Sequence, residues 1–166
     1  MIDAEYWIEK LNLRRHPEGG YFRETYRSQD AIGPCCLGRE EGAHRRVSTA
    51  IFYLLGGDDM SMFHRIRSDE IWHFYAGVSL SLHVIDREGQ YTTATLGIDV
   101  GRGEIPQAVV PAGLWFGATV DDTASYALVG CTVAPGFDFE DLDMGSRDEL
   151  IRCYPHHRGV IERLTR

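Results

Sequence analysis

The sequence predicts a mostly antiparallel β protein built as a single domain over residues 1–166. Short apolar runs, regularly spaced turn residues between them and little helical periodicity after residue 46 indicate this class. With 166 residues, 43% of them hydrophobic, the chain can bury roughly two thirds of its unfolded surface in one core. The pattern is typical of a sandwich or barrel and not of alternating β and α units.

The first predicted element is a helix from Asp3 to about Leu11. Asp3 is a suitable N-cap, and the apolar residues after it recur at the spacing of one helix face. The run at residues 16–20 is rich in turn formers, and the aromatic and Thr-containing segment Tyr21 to Arg27 then favours a strand. Residues 28–46 are polar, contain Gly and Pro, and predict a long loop.

Eight further strands are predicted, and turn signals such as Gly56-Gly57-Asp58-Asp59 separate them. They are Val47 to Leu55, Ser61 to Arg67, Glu70 to Ala76, Ser79 to Asp86, Tyr91 to Thr95, Ala108 to Val110, Leu114 to Thr119 and Ser125 to Val133. The acidic segment Asp138 to Asp143 predicts a solvated loop. A capping-box pattern at Ser146 predicts a helix to about Cys153, followed by a last amphipathic turn.

Composition excludes several classes of partner. The net charge of -8 disfavours the dense phosphate contacts of nucleic-acid binding, so the basic pairs Arg14-Arg15 and Arg45-Arg46 are interpreted as solvated surface. No apolar run has the length of a membrane helix and the first residues are acidic, which predicts a cytoplasmic protein without a membrane partner. The four cysteines show no C-x-x-C spacing, and Cys131 in an apolar run is expected to be buried.

Two motifs resemble those of the cupin superfamily. The segment His64-Arg65-Ile66-Arg67-Ser68-Asp69-Glu70, with Gly77 after it, resembles the first cupin motif, and Pro111-Ala112-Gly113-Leu114-Trp115-Phe116 resembles the second. Three further phrases resemble the cupin family DUF985, also called Cupin_5. They are His16-Pro17-Glu18-Gly19-Gly20-Tyr21-Phe22-Arg23-Glu24-Thr25-Tyr26, Glu70-Ile71-Trp72-His73-Phe74-Tyr75 and Ala134-Pro135-Gly136-Phe137-Asp138-Phe139. The resemblance covers almost the whole chain and implies a jelly-roll β-barrel or sandwich and a homodimer, but no established reaction.

The resemblance also locates the place where a metal-binding cupin holds its ion. The four ligand places are occupied here by His64, Ile66, Glu70 and Phe116, so two ligands are replaced by hydrocarbon. We therefore expect no cofactor and no resident metal, with a weakly bound divalent metal on His64 and Glu70 as the alternative. The alternation of side chains along a strand places His73 on the face opposite Glu70, away from this site.

An imidazole and a carboxylate remain inside an apolar barrel. Burial is expected to raise the pKa of Glu70, and its charge to support a protonated His64. With His64 as general base and Glu70 orienting it, the chain is interpreted as a metal-independent epimerase, isomerase or lyase of a small polar metabolite, similar to the metal-free deoxysugar epimerases among cupins. Two alternatives stay open: a non-catalytic metabolite-binding module, and a metalloenzyme with a degenerate cupin site.

Four more residues are candidate substrate contacts. Arg23, with Tyr21 on the same face of its strand, would orient a carboxylate, phosphate or sugar hydroxyl. Trp115 would provide a stacking wall, and Tyr126 a phenolic donor. The competing interpretation is that both aromatic residues pack in the core and that Arg23 forms a surface ion pair.

Overall fold

Two antiparallel sheets face each other in a computed structural model that describes residues 3–33 and 44–166. In chain order the strands are β1 (Arg14–Arg15), β2 (Tyr21–Arg27), β3 (Ala31–Ile32), β4 (Arg45–Arg46), β5 (Thr49–Gly56), β6 (Met60–Arg65), β7 (Asp69–Gly77), β8 (Leu80–Ile85), β9 (Tyr91–Leu96), β10 (Gln107–Val110), β11 (Trp115–Val120), β12 (Tyr126–Ala134) and β13 (Asp143–Met144). The larger sheet has the order β1-β2-β5-β12-β7-β10 and the smaller one β13-β6-β11-β8-β9. We call them the six-stranded and the five-stranded sheet.

The chain passes repeatedly from one sheet to the other. Strands β5, β7, β10 and β12 belong to the six-stranded sheet, whereas β6, β8, β9 and β11 belong to the five-stranded one. Strand β12 pairs along its length with both β5 and β7, so residues distant in sequence become neighbours. This arrangement is a jelly-roll sandwich that does not close into a barrel, and it confirms the predicted fold class.

The space between the sheets holds the main core. Each strand turns alternate side chains inward, and the inward positions are mostly apolar. The largest of these side chains are Tyr53, Trp72 and Phe116, each at most 2% exposed. Both outer faces are partly covered by helices: α1 (Ala4–Lys10) packs on the six-stranded sheet, and α2 (Arg147–Cys153) and α3 (Arg158–Arg163) pack on the five-stranded sheet.

Most predicted elements are confirmed to within two residues at each end. Asp3 caps α1 by accepting a hydrogen bond from the backbone N–H of Tyr6. The predicted cap at Ser146 is correct in position, although its side chain makes no capping hydrogen bond. The predicted loop at 28–46 contains the short strands β3 and β4, and its residues 34–43, including two of the four cysteines, lie outside the described ranges.

One surface prediction is wrong. Arg45 is buried, and its guanidinium forms two hydrogen bonds of 2.8 and 2.9 Å to the carboxylate of Asp141. Asp141 had been placed in a solvated acidic loop, but it lies in a short 3₁₀ helix, Phe139–Asp141, that this buried pair ties to β4. The two residues are too far apart in sequence for a local pattern to pair them. None of the helices in the described ranges has the length and apolar character needed to cross a bilayer.

Candidate functional site

A cavity of about 280 Å³ opens between the two sheets. The inner face of the six-stranded sheet forms most of its wall, and two segments, residues 16–18 and 137–139, complete it. The lining residues are Arg14, His16, Glu18, Phe22, Glu24, Arg27, Thr49, Ile51, Tyr53, Ile66, Glu70, Trp72, Cys131, Val133, Phe137 and Phe139. The wall is therefore mainly apolar and aromatic, with a small set of titratable groups.

The turn between β1 and β2 brings Glu18 into this wall. Gly19 and Gly20 both have positive φ, +116° and +64°, and a Cβ atom at Gly19 would overlap the carbonyl oxygen of Met60. The turn is held by a hydrogen bond of 2.9 Å from the Met62 backbone N–H to the Glu18 carbonyl. Gly19 is thus needed for the close approach to β6, and Gly20 for the approach to β5, where a Cβ atom would overlap the Leu54 carbonyl oxygen.

Glu18 forms the centre of a buried polar cluster. Its Oε2 atom lies 3.2 Å from the hydroxyl of Ser61, which donates to it, and 3.4 Å from Nε2 of His64. Nδ1 of His16 lies 3.7 Å from the same oxygen. Glu18 and His64 are only 6% and 1% exposed, so these interactions take place out of contact with bulk water.

The two imidazoles of the cluster are neutral at neutral pH. Burial lowers the pKa of His64, and this effect outweighs the opposing effects of the Glu70 charge and the Met62 carbonyl. Burial, followed by the charges of His64 and Arg14, lowers the pKa of His16 to about 4. The Met62 carbonyl lies 2.7 Å from Nδ1 of His64, which places the proton on Nδ1 and leaves Nε2 as an acceptor towards Glu18.

The two carboxyl groups hold their protons unusually strongly. Burial raises the pKa of Glu18 to about 8, although the hydrogen bond from Ser61 opposes the shift. Burial also raises the pKa of Glu70 to about 7, with the charge of His64 opposing it. The raised pKa of Glu70 confirms the sequence-based prediction. The companion prediction, a protonated His64, is wrong. Burial destabilises the imidazolium more than the charge of Glu70 stabilises it.

Trp72 lies beside Glu70 on the inner face of β7. It is 1% exposed, and its Nε1–H has no acceptor in hydrogen-bond geometry among the described residues. The indole N–H lowers the pKa of Glu70 only as the last of the effects on that group. His73 points to the opposite face, as predicted, and its Nε2 lies 3.1 Å from the hydroxyl of Thr132.

The more exposed part of the wall carries charges. Arg27 forms a bidentate pair with Glu24, with a shortest distance of 2.6 Å, so these two charges compensate each other. The guanidinium carbon of Arg14 lies 4.9 Å from the centre of the Phe22 ring. Arg14 is exposed, as the interpretation of solvated surface expected, and its side chain also lines the cavity.

Tyr21 and Arg23 lie outside the cavity, so the prediction that they contact the substrate is wrong. On β2 the inward face carries Phe22 and Glu24, one residue out of step with the predicted face. Arg23 instead lies over the ring of Phe52 on the outer face, with 5.6 Å between guanidinium carbon and ring centre. A β-bulge between Glu24 and Tyr26 changes the alternation, so that Arg27 also reaches the inside.

Trp115 and Tyr126 are also outside the cavity. Trp115 packs on the outer face of the five-stranded sheet, where the guanidinium of Arg65 lies 4.5 Å from its ring. The hydroxyl of Tyr126 accepts a hydrogen bond of 2.9 Å from Nε1 of Trp7 in α1. The competing interpretation, that these two aromatic residues pack structurally, describes them correctly.

Sequence reasoning missed the contribution of the turn that precedes β2. His16 and Glu18 both lie in the run that was interpreted as a turn and as part of a DUF985-like phrase, with no role in the site assigned to either residue. A signal was present, because two titratable residues flanking a proline and followed by two glycines are more than a turn requires. Of the predicted catalytic pair, Glu70 lines the cavity and His64 lies directly behind Glu18.

Several known proteins are similar to this chain in both sequence and fold. A family model described as "Cupin superfamily (DUF985)" matches residues 5–145. A hypothetical protein from Leishmania major is 38% identical, with a TM-score of 0.90 and 99% of both chains covered. Protein SO0799 from Shewanella oneidensis is 40% identical, with a TM-score of 0.90 over 100% of this chain and 99% of its own.

Two further matches are more distant. The uncharacterized protein YML079W of Saccharomyces cerevisiae is 31% identical over 162 residues, which cover 86% of this chain and 76% of the yeast protein. Oxalate decarboxylase from Bacillus subtilis is 15% identical, with a TM-score of 0.55 over 90% of this chain and 36% of its own. At that identity the similarity shows the fold alone.

The residues of this chain do not fit a metal centre of the cupin kind. One structure of the Bacillus subtilis oxalate decarboxylase is described by its Mn(II) centers. In this chain Ile66 and Phe116 occupy two of the four places that the cupin motifs assign to ligands, and the Phe116 ring lies 4.1 Å from the His64 ring. Within residues 3–33 and 44–166, no group of three or more His, Cys, Asp or Glu side chains is arranged to hold a metal ion.

Proposed function

Because this chain belongs to the DUF985 family of the cupin superfamily, we propose that its jelly-roll cavity carries out metal-independent proton transfer on a small polar metabolite. One observation carries the proposal: two buried carboxyl groups, Glu70 and Glu18, line the same cavity, and the pKa of each is raised close to neutral pH. Such groups can both accept and donate a proton at physiological pH. The reaction class is that of an epimerase, isomerase or lyase acting beside a carbonyl.

Glu70 is the general base in this proposal. Its carboxylate takes the proton from the carbon next to the carbonyl; the C–H bond breaks and its electron pair moves into an enolate. Glu18, which holds its proton at neutral pH, donates it to the carbonyl oxygen, and the enol forms. Glu70 then returns a proton to the same carbon or to a neighbouring one while the Glu18 carboxylate takes its proton back from the enol oxygen, so the carbonyl re-forms and both groups regain their starting states.

His64 is a positioning residue in this scheme and not the base. Its Nδ1–H is held by the Met62 carbonyl, so its Nε2 atom can accept a hydrogen bond from protonated Glu18 in the free site and keep that group oriented until the proton passes to the carbonyl oxygen. The sequence-based hypothesis assigned the two roles the other way round. The aromatic walls around the carboxyl groups exclude water, which strengthens each electrostatic interaction inside the cavity.

Deuterium exchange tests the proposal. Dihydroxyacetone, acetoacetate and levulinate are incubated with the protein in D₂O, and loss of the signal of the hydrogen next to the carbonyl is followed by proton NMR. We expect a bell-shaped pH profile, rising through about pH 7 as Glu70 ionises and falling above about pH 8 as Glu18 loses its proton. Glu70→Gln should lower the exchange rate by about a hundredfold or more.

Glu9→Gln is the matched control, because Glu9 is an exposed carboxylate on α1. It should leave both rate and pH profile unchanged. The proposal is rejected if Glu70→Gln, folded as judged by circular dichroism, exchanges as fast as the unaltered protein, or if no compound of the panel is exchanged. A compound that binds in the cavity and is returned unexchanged would instead support the second candidate function, a metabolite-binding module.

A further inference from the structure

We propose that the ligand of this cavity is a small organic acid, whose anionic group is bound by Arg14 and whose carbonyl oxygen accepts the Nε1–H of Trp72. This inference rests on the proposed function, since it names the substrate class of the same site. Of the carboxylate, phosphate and sugar hydroxyl that the sequence left open, it selects the carboxylate. Three features of the wall carry it.

The first feature is the indole of Trp72, whose N–H has the smallest of the effects on the pKa of Glu70 and is not in hydrogen-bond geometry with it. Among the described residues, Nε1 of Trp72 is the only buried side-chain nitrogen or oxygen without a hydrogen-bond partner. A buried donor left unsatisfied is costly, so native structures almost always provide an acceptor for it. Because Trp72 lines the cavity next to Glu70, an oxygen atom of a ligand is well placed to be that acceptor, close to the proposed base.

The second feature is the uncompensated charge of Arg14. Its guanidinium lies against the ring of Phe22 and makes no ion pair or hydrogen bond with another described residue. The other two charged side chains on the exposed part of the wall, Glu24 and Arg27, neutralise each other. A guanidinium that pairs with no residue in the described ranges 3–33 and 44–166, at the entrance of a mainly apolar cavity, favours a carboxylate.

The third feature is the hydrocarbon between these two polar groups. Phe22, Ile51, Tyr53, Val133 and Phe139 provide rings and aliphatic groups, with few partners for the many hydroxyls of a sugar. A volume of about 280 Å³ corresponds to roughly nine water molecules at their liquid volume. The ligand is therefore a compact acid with a short apolar segment between its carboxylate and its carbonyl group.

Indole NMR provides a direct test, because the chain has three tryptophans. Levulinate is titrated into the uniformly ¹⁵N-labelled protein in ordinary water, with pyruvate and acetoacetate as shorter acids. We expect a saturable shift of the Nε1–H resonance of Trp72, assigned with Trp72→Phe, and no shift for Trp7 or Trp115. Levulinamide, which lacks the charge, and isocaproate, which replaces the carbonyl oxygen by a methyl group, should each bind about tenfold more weakly.

Matched variants assign each contact. Arg14→Gln should weaken levulinate about tenfold and leave levulinamide unchanged, whereas Arg15→Gln should change neither. Arg15 is the next residue on β1, and its guanidinium lies over Tyr21 and pairs with Asp59 at 3.2 Å. Trp72→Phe should reduce the affinity for levulinate to that for isocaproate and leave isocaproate unaffected. A merely structural role of Trp72 would weaken both ligands equally.

Three results would overturn the inference: no saturable binding of any of the three acids, equal affinity for levulinate and its amide, or a Trp72 resonance that does not move at saturation. These results are distinct from failure of the proposed function. Binding that depends on Arg14 and Trp72 without deuterium exchange rejects the proton transfer and keeps the ligand class. Exchange of dihydroxyacetone without binding of any acid rejects the ligand class and keeps the proton transfer.

Discussion

The five-stranded sheet carries one buried histidine on each of its faces. His64, on β6, points inward to the cavity cluster, and His83, on β8, points outward beneath the C-terminal helices. Their exposed fractions are 1% and 5%, and burial is the largest cause of a lowered pKa in both. Burial alone therefore gives both sites a neutral imidazole.

The surroundings of the two rings differ in chemistry. His83 is satisfied on both nitrogens by hydroxyl groups, with Nδ1 2.7 Å from Tyr91 and Nε2 2.9 Å from Thr119. His64 has only one nitrogen held by a carbonyl, and the other faces the carboxyl group of Glu18 in the cavity wall. A buried histidine thus belongs to a candidate site when a titratable partner and an open volume accompany it, not when it is merely buried.

The largest expected difference in activity is between the variants in which each histidine is replaced by glutamine. His64→Gln should lower the exchange rate about a hundredfold and shift the alkaline limb of the pH profile, because Glu18 loses the acceptor that orients it. His83→Gln should leave the rate per folded molecule unchanged and cost about 1–3 kcal/mol of stability, because the buried hydroxyl of Thr119 and the half-buried hydroxyl of Tyr91 lose their partner. Exchange kinetics and urea unfolding of both variants check this pair. Equal losses of rate in the two variants would remove the distinction between the faces.

The pH dependence of stability sharpens the comparison. Glu18 and Glu70, with pKa values of about 8 and 7, keep their protons in the folded state while the same groups in the unfolded chain lose theirs near 4.5. The unfolded chain then binds fewer protons, and stability falls as pH rises from about 4.5 to 8. His16 and His83 have pKa values lowered to about 4, so they act in the opposite direction, but only between about pH 4 and 6.5.

The carboxyl effect is therefore isolated between about pH 6.5 and 8. We expect the free energy of unfolding, measured with urea, to fall over this interval, and Glu18→Gln to flatten the fall. Glu9→Gln should keep the original slope. A free energy of unfolding that stays constant or rises from pH 6.5 to 8 would contradict the raised pKa values, because carboxyl groups that are ionised in both states produce no such fall.

The smallest effect is expected at Tyr126, on the outer face of the six-stranded sheet. Tyr126→Phe removes the hydrogen bond from Trp7 and should cost about 1 kcal/mol of stability, because the half-exposed indole can turn to water instead. The exchange rate should not change. A loss of rate in this variant would return Tyr126 to the role of a substrate contact, which its position outside the cavity argues against.

Much of the fold could be predicted because its signals are local. Short apolar runs separated by turn-forming residues predicted the eight longer strands from β5 to β12. Asp3, as an N-cap residue, predicted the start of α1. The strands β1, β3, β4 and β13 were missed, because two residues are too short for a periodic pattern. Their pairing depends on neighbours that the fold supplies.

The candidate site was predictable only in part. Motif position located His64 and Glu70, and the alternation of β7 correctly turned His73 away. The inward face of β2 was predicted wrongly. Both faces of this strand carry aromatic and polar residues, so the sequence pattern does not show which face is buried. Glu18 was missed because its approach to His64 spans 46 positions of the chain, and only the close contact of the glycine turn with β6 creates it.

The amino-acid sequence by itself determined the class of fold and the order of the long strands, since residue type and spacing indicate both, and its resemblance to the cupin motifs indicated that Ile66 and Phe116 replace two ligands. Tertiary structure alone decided which polar groups meet: Arg14, Glu18, Glu70 and Trp72 in one wall, and Arg45 with Asp141 beneath it. The physical reason is desolvation. Burial sets the pKa of a carboxyl group or an imidazole and the cost of an unpartnered N–H, and burial exists only once two sheets have closed over the site.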